Sequence, residues 1–170
     1  MDFIHEQYDL IRAETRTGEI TFRIQPKEAG KDKALKSTTR LIYVVRSADV
    51  FLYVGEAKSS LKTRLQRGFT SYRHYQRTKV ARGGYKGYKW IELFARVEKS
   101  QFSVDAFLFS KEYTPPAQRE VIEAIEGELV YLIRHQTGTW PRYQNEIHFN
   151  NKEGAEDVAK AILSAIIKRK

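Results

Sequence analysis

Apolar positions alternate with polar ones in several short stretches of the chain, and this pattern predicts strands. Residues 20–24 carry apolar side chains at every second position, which is typical of a half-buried strand. Residues 40–45 and 50–54 are rich in β-branched and aromatic side chains and are joined by a short polar turn, which predicts an antiparallel hairpin. Residues 90–97 and 104–109 also alternate, and we expect them to form two further strands.

Helical spacing of apolar side chains marks three other stretches. Residues 59–68 begin with two serines that can cap a helix and finish at a glycine that can end it. Residues 115–135 open with two prolines and continue with an apolar stripe, which predicts a long helix. Residues 155–168 predict a last amphipathic helix, whereas the lysine-rich stretch 25–39 is predicted to be a loop.

The length and composition favour one domain of α/β (α+β) class. The chain has 170 residues, enough to bury one core, and we divide it into an extension (1–39), a core (40–146) and a C-terminal helix (150–170). No apolar run approaches the roughly 20 residues that span a bilayer, and the first residues lack the pattern of a signal peptide. The chain has no cysteine, which excludes disulfides and thiolate metal sites. We therefore expect a cytoplasmic protein without a membrane partner.

Positive charge is concentrated in one segment, which changes the expected partner. The net charge is +9, and residues 57–90 contain ten Lys or Arg but no Asp or Glu, so the rest of the chain is close to neutral. An anionic partner explains such a segment better than a solvated surface does, and nucleic acid is favoured over a membrane. The candidate nucleic-acid-binding residues are Lys58, Lys62, Arg67, Arg73, Arg77, Lys79, Arg82 and Lys86.

A set of motifs in a fixed order adds a candidate chemistry. The first hairpin strand contains Leu-Ile-Tyr ending at Tyr43, and the second closes with Tyr-Val-Gly over 53–55. Arg64 follows nine residues after that glycine, Glu126 lies on the long helix, and Asn145 comes after it. In this order the motifs resemble the GIY-YIG nuclease family, including the catalytic domain of the bacterial excinuclease C subunit. The resemblance covers roughly residues 40–145.

The resemblance implies a fold and a reaction. The fold is a three-stranded antiparallel sheet flanked by helices, to which this chain would add an N-terminal strand and a C-terminal helix. The reaction is hydrolysis of DNA phosphodiester bonds with one divalent metal, Mg²⁺ or Mn²⁺, and no organic cofactor. The catalytic residues implied are Tyr43, Tyr53, Arg64 and Glu126.

Each implied role suits the chemistry of its residue. Tyr43 would take the proton of the attacking water, and Tyr53 would orient the water or the phosphate. Arg64 can form paired, permanently charged hydrogen bonds to phosphate oxygens. Glu126 would bind the metal, because Mg²⁺ prefers oxygen ligands and retains several waters. Gly55 would let the backbone turn closely beneath the site, and Asn145 would brace it.

Two assignments depend on the resemblance more than on the pattern. Glu126 and Glu128 both border the apolar stripe of the long helix, so periodicity does not choose between them, and the family motif selects Glu126. Many members carry His or Tyr four residues after the arginine, where this chain has Gly68. His74 or Tyr72 could take that place if the chain folds back.

Other functions are compatible with parts of this pattern. A catalytically silent nucleic-acid-binding module on the same scaffold would need the basic segment but not the carboxylate. A small basic structural domain would need neither. One active centre cuts one strand, so a double-strand break would need two events or a homodimer.

Overall fold

The computed structural model describes residues 1–81, 88–97, 102–145, 147 and 150–168. Within these residues the protein is mixed α/β, with one antiparallel sheet and helices on both of its faces. The strands are β1 (Phe3–Glu14), β2 (Ile20–Pro26), β3 (Leu41–Ser47), β4 (Val50–Ala57) and β5 (Phe102–Phe109). The helices are α1 (Lys33–Lys36), α2 (Leu61–Thr78), α3 (Lys89–Arg96), α4 (Arg119–Thr137) and α5 (Ala155–Ile167).

The sheet has the strand order β2-β1-β5-β3-β4, so β4 and β2 form its two edges. All neighbouring strands are antiparallel. The predicted hairpin is confirmed as β3 and β4, and the predicted strand at 104–109 is confirmed as β5. The resemblance implied three strands and one N-terminal addition. The sheet has five because the N-terminal residues contribute two strands, and β1 lies inside the sheet.

Two apolar cores lie on opposite faces of this sheet. Side chains alternate across each strand, so neighbouring positions of β3 point into different cores. One core packs against α2 and α3 and contains Tyr43, Leu65, Phe69 and Phe94. The other packs against α4 and α5. Because both faces are covered, nearly every residue of β3 is buried.

No pattern in the sequence predicts β1, because polar and apolar residues share both of its faces. Glu6 is buried on one face, where its carboxylate accepts hydrogen bonds from the hydroxyl of Tyr8 and the backbone N–H of Ala34. His5 and Gln7 lie on the other face and both bond to Asp105. A buried charge is tolerated when it is paired and hydrogen-bonded, so partners distant in sequence make this strand possible.

Three further predictions of secondary structure are wrong. Residues 90–97 form α3 rather than a strand, because Trp90 and Phe94 pack together on one helical face against Phe69 and Phe102. The helix predicted over residues 59–68 continues to Thr78, with Gly68 buried in its interior. The predicted loop over residues 25–39 contains α1, a single turn.

The two C-terminal helices are confirmed with small shifts of their bounds. The predicted long helix begins as a short 3₁₀ turn, Pro116–Gln118, and becomes α4 at Arg119. Gly138 ends it in a left-handed conformation. α5 begins at Ala155, as predicted. Among the described helices, none has the length and apolar character that a membrane span requires.

Candidate functional site

The predicted catalytic residues gather around β4, the edge strand nearest α4. A neighbouring segment covers this edge through backbone atoms. The N–H groups of Arg142 and Tyr143 donate to the carbonyls of Phe51 and Leu52, at 3.0 and 2.8 Å. Farther along, the N–H of Val54 donates to the side-chain oxygen of Gln144 at 3.0 Å. The edge is thus held in place from outside by residues that follow α4.

The two tyrosines and Gly55 form one contact group. Tyr43 pairs with Gly55 across β3 and β4, and the Tyr43 and Tyr53 ring centroids are 6.0 Å apart. A Cβ atom at residue 55 would lie 2.8 Å from the Tyr43 hydroxyl oxygen and 2.6 Å from a ring carbon of Tyr53. Both distances are too short for real contacts, so only glycine fits beneath the two rings. The close approach requires this glycine, as predicted, though for packing rather than for a turn.

A carboxylate cluster lies next to this group. Glu126 projects from α4 towards the backbone N–H of Glu56, the residue after Gly55. Burial raises the pKa of Glu126 to about 8, and the charges of Glu56 and Glu123 act in the same direction. Arg64 is close enough to oppose this shift, and the backbone N–H of Glu56 opposes it slightly. The site therefore disfavours an anionic Glu126 unless further positive charge is present.

Two arginines that the sequence did not single out hold the other carboxylates. Buried Arg40 forms an ion pair with Glu56. Arg119, at the start of α4, lies 2.8 Å from a carboxylate oxygen of Glu123 and 3.9 Å from one of Glu56. Glu123 is partly buried and ion-paired. Three elements, β4, α2 and α4, and the residue before β3 therefore contribute charge to this cluster.

The helix α4 separates the two glutamates between which periodicity could not choose. Glu126 faces Glu56 and Arg64, whereas Glu128 lies near enough to Lys160 on α5 to raise the pKa of that lysine, after the larger effect of Glu156. Only Glu126 of this pair belongs to the cluster beside the tyrosines.

The residues considered for the position four after Arg64 lie away from the tyrosine pair. His74 follows Arg64 by ten residues on the same helix, which corresponds to about 15 Å. Tyr72 is buried in the core, where burial raises its pKa. A Cβ atom at Gly68 would face Ile91 at 3.5 Å. None of these three contacts the tyrosine pair through any interaction that the structure describes.

Asn145 hydrogen-bonds to nearby groups. The neighbouring residue, Gln144, makes the bracing contact with the site's strand that was predicted for Asn145. The Asn145 amide donates to the carbonyl of Tyr143 at 2.8 Å, and Lys89 donates to its side-chain oxygen at 3.2 Å. Gln144, not Asn145, reaches the backbone of β4. Two side-chain amides that follow the helix in succession are a weak signal of this in the sequence.

The basic segment divides into parts with different surroundings. Lys58, Lys62 and Arg67 are exposed at or near the start of α2. Arg73 and Arg77 lie 3.6 and 3.9 Å from the carboxylate of Glu19, which offsets part of their charge. Lys79 ends α2 in a left-handed conformation, 5.9 Å from the ring of Tyr75. Arg82 and Lys86 lie outside the described residues.

The donor set is compatible with one hard divalent cation. Arg40 and Arg119 engage Glu56 and Glu123, which leaves Glu126 as the carboxylate we assign to a metal. Within the described parts of the chain, no group of three His, Cys, Asp or Glu residues could hold a metal. Mg²⁺ is commonly bound through one or two carboxylates with water completing its shell, so a single glutamate fits.

Comparisons with family models, with curated proteins and with solved structures gave no match for this chain. The assignment of function therefore depends on the residues and their geometry.

Proposed function

We propose that the protein is a divalent-metal-dependent endonuclease that hydrolyses DNA phosphodiester bonds through a GIY-YIG-type active site. One observation carries the proposal. Tyr43, Tyr53 and Gly55 form a single contact group, and Glu126 lies beside the backbone of the next residue, within electrostatic reach of Arg64. These are five of the six residues that the sequence resemblance selects, and Asn145 is the sixth.

The chemistry that these residues support is attack of water on phosphorus. In the proposed reaction the water oxygen forms a bond to phosphorus, and the bond from phosphorus to the 3′-oxygen breaks. Tyr43, as the general base, takes a proton from the water, and the leaving oxygen receives a proton from solvent. Arg64 binds the non-bridging oxygens, where negative charge develops in the transition state.

Glu126 would hold the metal, which when bound supplies positive charge to the phosphate oxygens. The raised pKa of Glu126 is consistent with this role. Its neighbours Glu56 and Glu123 make a lone anion unfavourable there, and a cation offsets that repulsion. Tyr53 packs against Tyr43 and would keep its hydroxyl aimed at the water.

DNA would approach along the exposed start of α2. Lys62 and Arg67 are exposed on the helix that carries Arg64, and exposed Lys58 lies just before that helix, so phosphates flanking the cleaved bond can reach them. Arg73 and Arg77 would contribute less, because Glu19 competes with DNA for them.

The test is nicking of supercoiled plasmid with Mg²⁺, with Mn²⁺ and with chelator. We expect metal-dependent nicking that falls by about 100-fold or more in Glu126→Gln, since a bound metal contributes several kcal/mol to such a reaction. Glu128→Gln is the matched control, because it changes the same helix on its α5 side, and it should retain activity.

Two outcomes would contradict the proposal. Cleavage that persists in chelator, or in Glu126→Gln, would exclude this metal role. DNA binding without cleavage of plasmid, duplex and single-stranded substrates would favour the catalytically silent module.

A further inference from the structure

A groove of about 450 Å³ lies at the same end of the sheet as the candidate site. Its floor includes the side chains of Leu108 on β5 and Ile4 on β1, and Ile4 is 43 % exposed. Its walls carry Lys33, Lys36 and Lys111, against one acidic residue, Asp32, which forms an ion pair with Lys36. The groove thus combines an apolar base with an excess of positive charge.

The groove is connected to the site through the sheet and the chain. The register aligns Ala57, Leu41, Leu108 and Ile4 in one row across β4, β3, β5 and β1. At about 4.8 Å between strands, the floor lies about 10 to 15 Å from the end of β4. Thr39 lines the groove, and the next residue, Arg40, pairs with Glu56 in the carboxylate cluster.

We propose that this groove binds the DNA strand beyond the cleaved bond, with phosphates on Lys33 and Lys111 and a sugar or base against the apolar floor. The inference rests on the proposed function. The distance from β4 corresponds to about three or four nucleotides at 3.4 Å per step along one strand. A polyanion that also offers apolar surface matches both parts of the lining, and DNA is such a molecule.

This contact surface is separate from the basic segment. Lys33, Lys36 and Lys111 come from α1 and from the turn after β5, outside residues 57–90. Together with the start of α2, they would contact DNA on two sides of the candidate site. The two surfaces can therefore be removed independently.

The experiment measures binding of a fluorescent 20-base-pair DNA duplex in chelator over a range of salt concentrations. The test variant is Lys33→Ala/Lys36→Ala/Lys111→Ala. The control, Lys152→Ala/Lys160→Ala/Lys168→Ala, removes the same charge in and near α5, on the opposite face of the sheet. Circular dichroism checks that both variants are folded.

We expect the slope of log K against log salt to fall by about 0.9 for each lost phosphate contact, so by nearly two in the test variant, because Asp32 already pairs with Lys36. The control should keep the wild-type slope. In parallel, the Ile4 methyl resonances should shift when the unlabelled duplex is added. Equal slopes in both triple variants, or unmoved Ile4 signals, would overturn the proposal.

Two further outcomes separate this inference from the proposed function. DNA binding that depends on the groove, without metal-dependent nicking, would contradict the proposed nuclease function and support the groove as a DNA contact. Nicking activity with an unchanged slope in the test variant would support the nuclease function and contradict the groove as a DNA contact. If a glutamate-rich peptide shifts the Ile4 signals and DNA does not, the groove is a site for an acidic protein and the proposal fails.

Discussion

Two buried carboxylates of this protein have opposite environments. Asp105, in the middle of the sheet, accepts hydrogen bonds from His5, Gln7 and Arg46 at 2.8 to 2.9 Å. Burial alone would raise its pKa, but these partners outweigh burial and hold the pKa below its ordinary value. At Glu126, burial and neighbouring carboxylates act together and raise the pKa to about 8.

The difference separates a cluster whose charges are balanced from one whose charges are not. The partners of Asp105 satisfy both of its oxygens, so the cluster has nothing further to gain by binding a ligand. The carboxylates around Glu126 repel one another, so this cluster gains when a cation or another positive group arrives. Strongly perturbed acids of the second kind are typical of functional sites.

The largest expected effect concerns the site beside Glu126. Tyr43→Phe should reduce the cleavage rate by about 10²- to 10⁴-fold, because it removes the hydroxyl of the proposed general base. Stability should change little, since the ring remains packed. Tyr72→Phe, which deletes a buried hydroxyl elsewhere on the same core, is the control for nicking kinetics. An equal loss of nicking rate in both variants would contradict the role of Tyr43 as the general base.

Removal of Asp105 should affect stability instead of chemistry. Asp105→Asn should lower the free energy of unfolding by about 3 kcal/mol, because it leaves Arg46 buried without a matching charge. Asp9→Asn changes an exposed residue of β1 and should lower the free energy of unfolding by under about 1 kcal/mol. Urea unfolding measures both. If Asp105→Asn is as stable as wild type, the contrast between the two clusters is wrong.

A third change tests the close packing under the tyrosines. Gly55→Ala should destabilise the protein by about 1 to 3 kcal/mol and slow cleavage, because the new methyl group collides with both rings. Gly68→Ala has space beside Ile91 and should be neutral or stabilising by up to about 1 kcal/mol, since alanine favours a helix interior. Similar melting temperatures for the two variants would contradict the geometry at residue 55.

The smallest expected effect is a difference in how the free energy of unfolding depends on pH. The folded-state pKa of Asp105 lies below its ordinary value, so its contribution to stability is present above that ordinary value and is lost as pH falls through the folded value. Asp105→Asn should lack this component. Unfolding curves of both proteins between about pH 2 and 6 measure it, and parallel curves would show that Asp105 does not titrate differently on folding.

The parts of the fold that the sequence predicted are those with a local cause. The β3–β4 hairpin follows from two apolar runs and a short turn, and α5 from its amphipathic spacing. β1 could not be predicted, because its buried Glu6 depends on the backbone of α1. α3 was mistaken for a strand because its side-chain pattern fits both periods, and packing against Phe69 decides between them.

The residues of the candidate site also divide into those that a sequence motif predicts and those that it does not. Tyr43, Tyr53 and Gly55 are recognisable because they recur as a motif along two paired strands. Glu56, Arg40 and Arg119 carry no such signal, since their roles arise where β3, β4 and α4 meet. Gln144 likewise has a role only because the chain after α4 returns to the sheet edge.

The covered edge of β4 restricts how two copies of the chain could join. Residues 142–144 already occupy backbone groups that an incoming strand would need. β2 provides the other edge. A dimer that continues the sheet through β2 would therefore place its two candidate sites at opposite ends of a ten-stranded sheet.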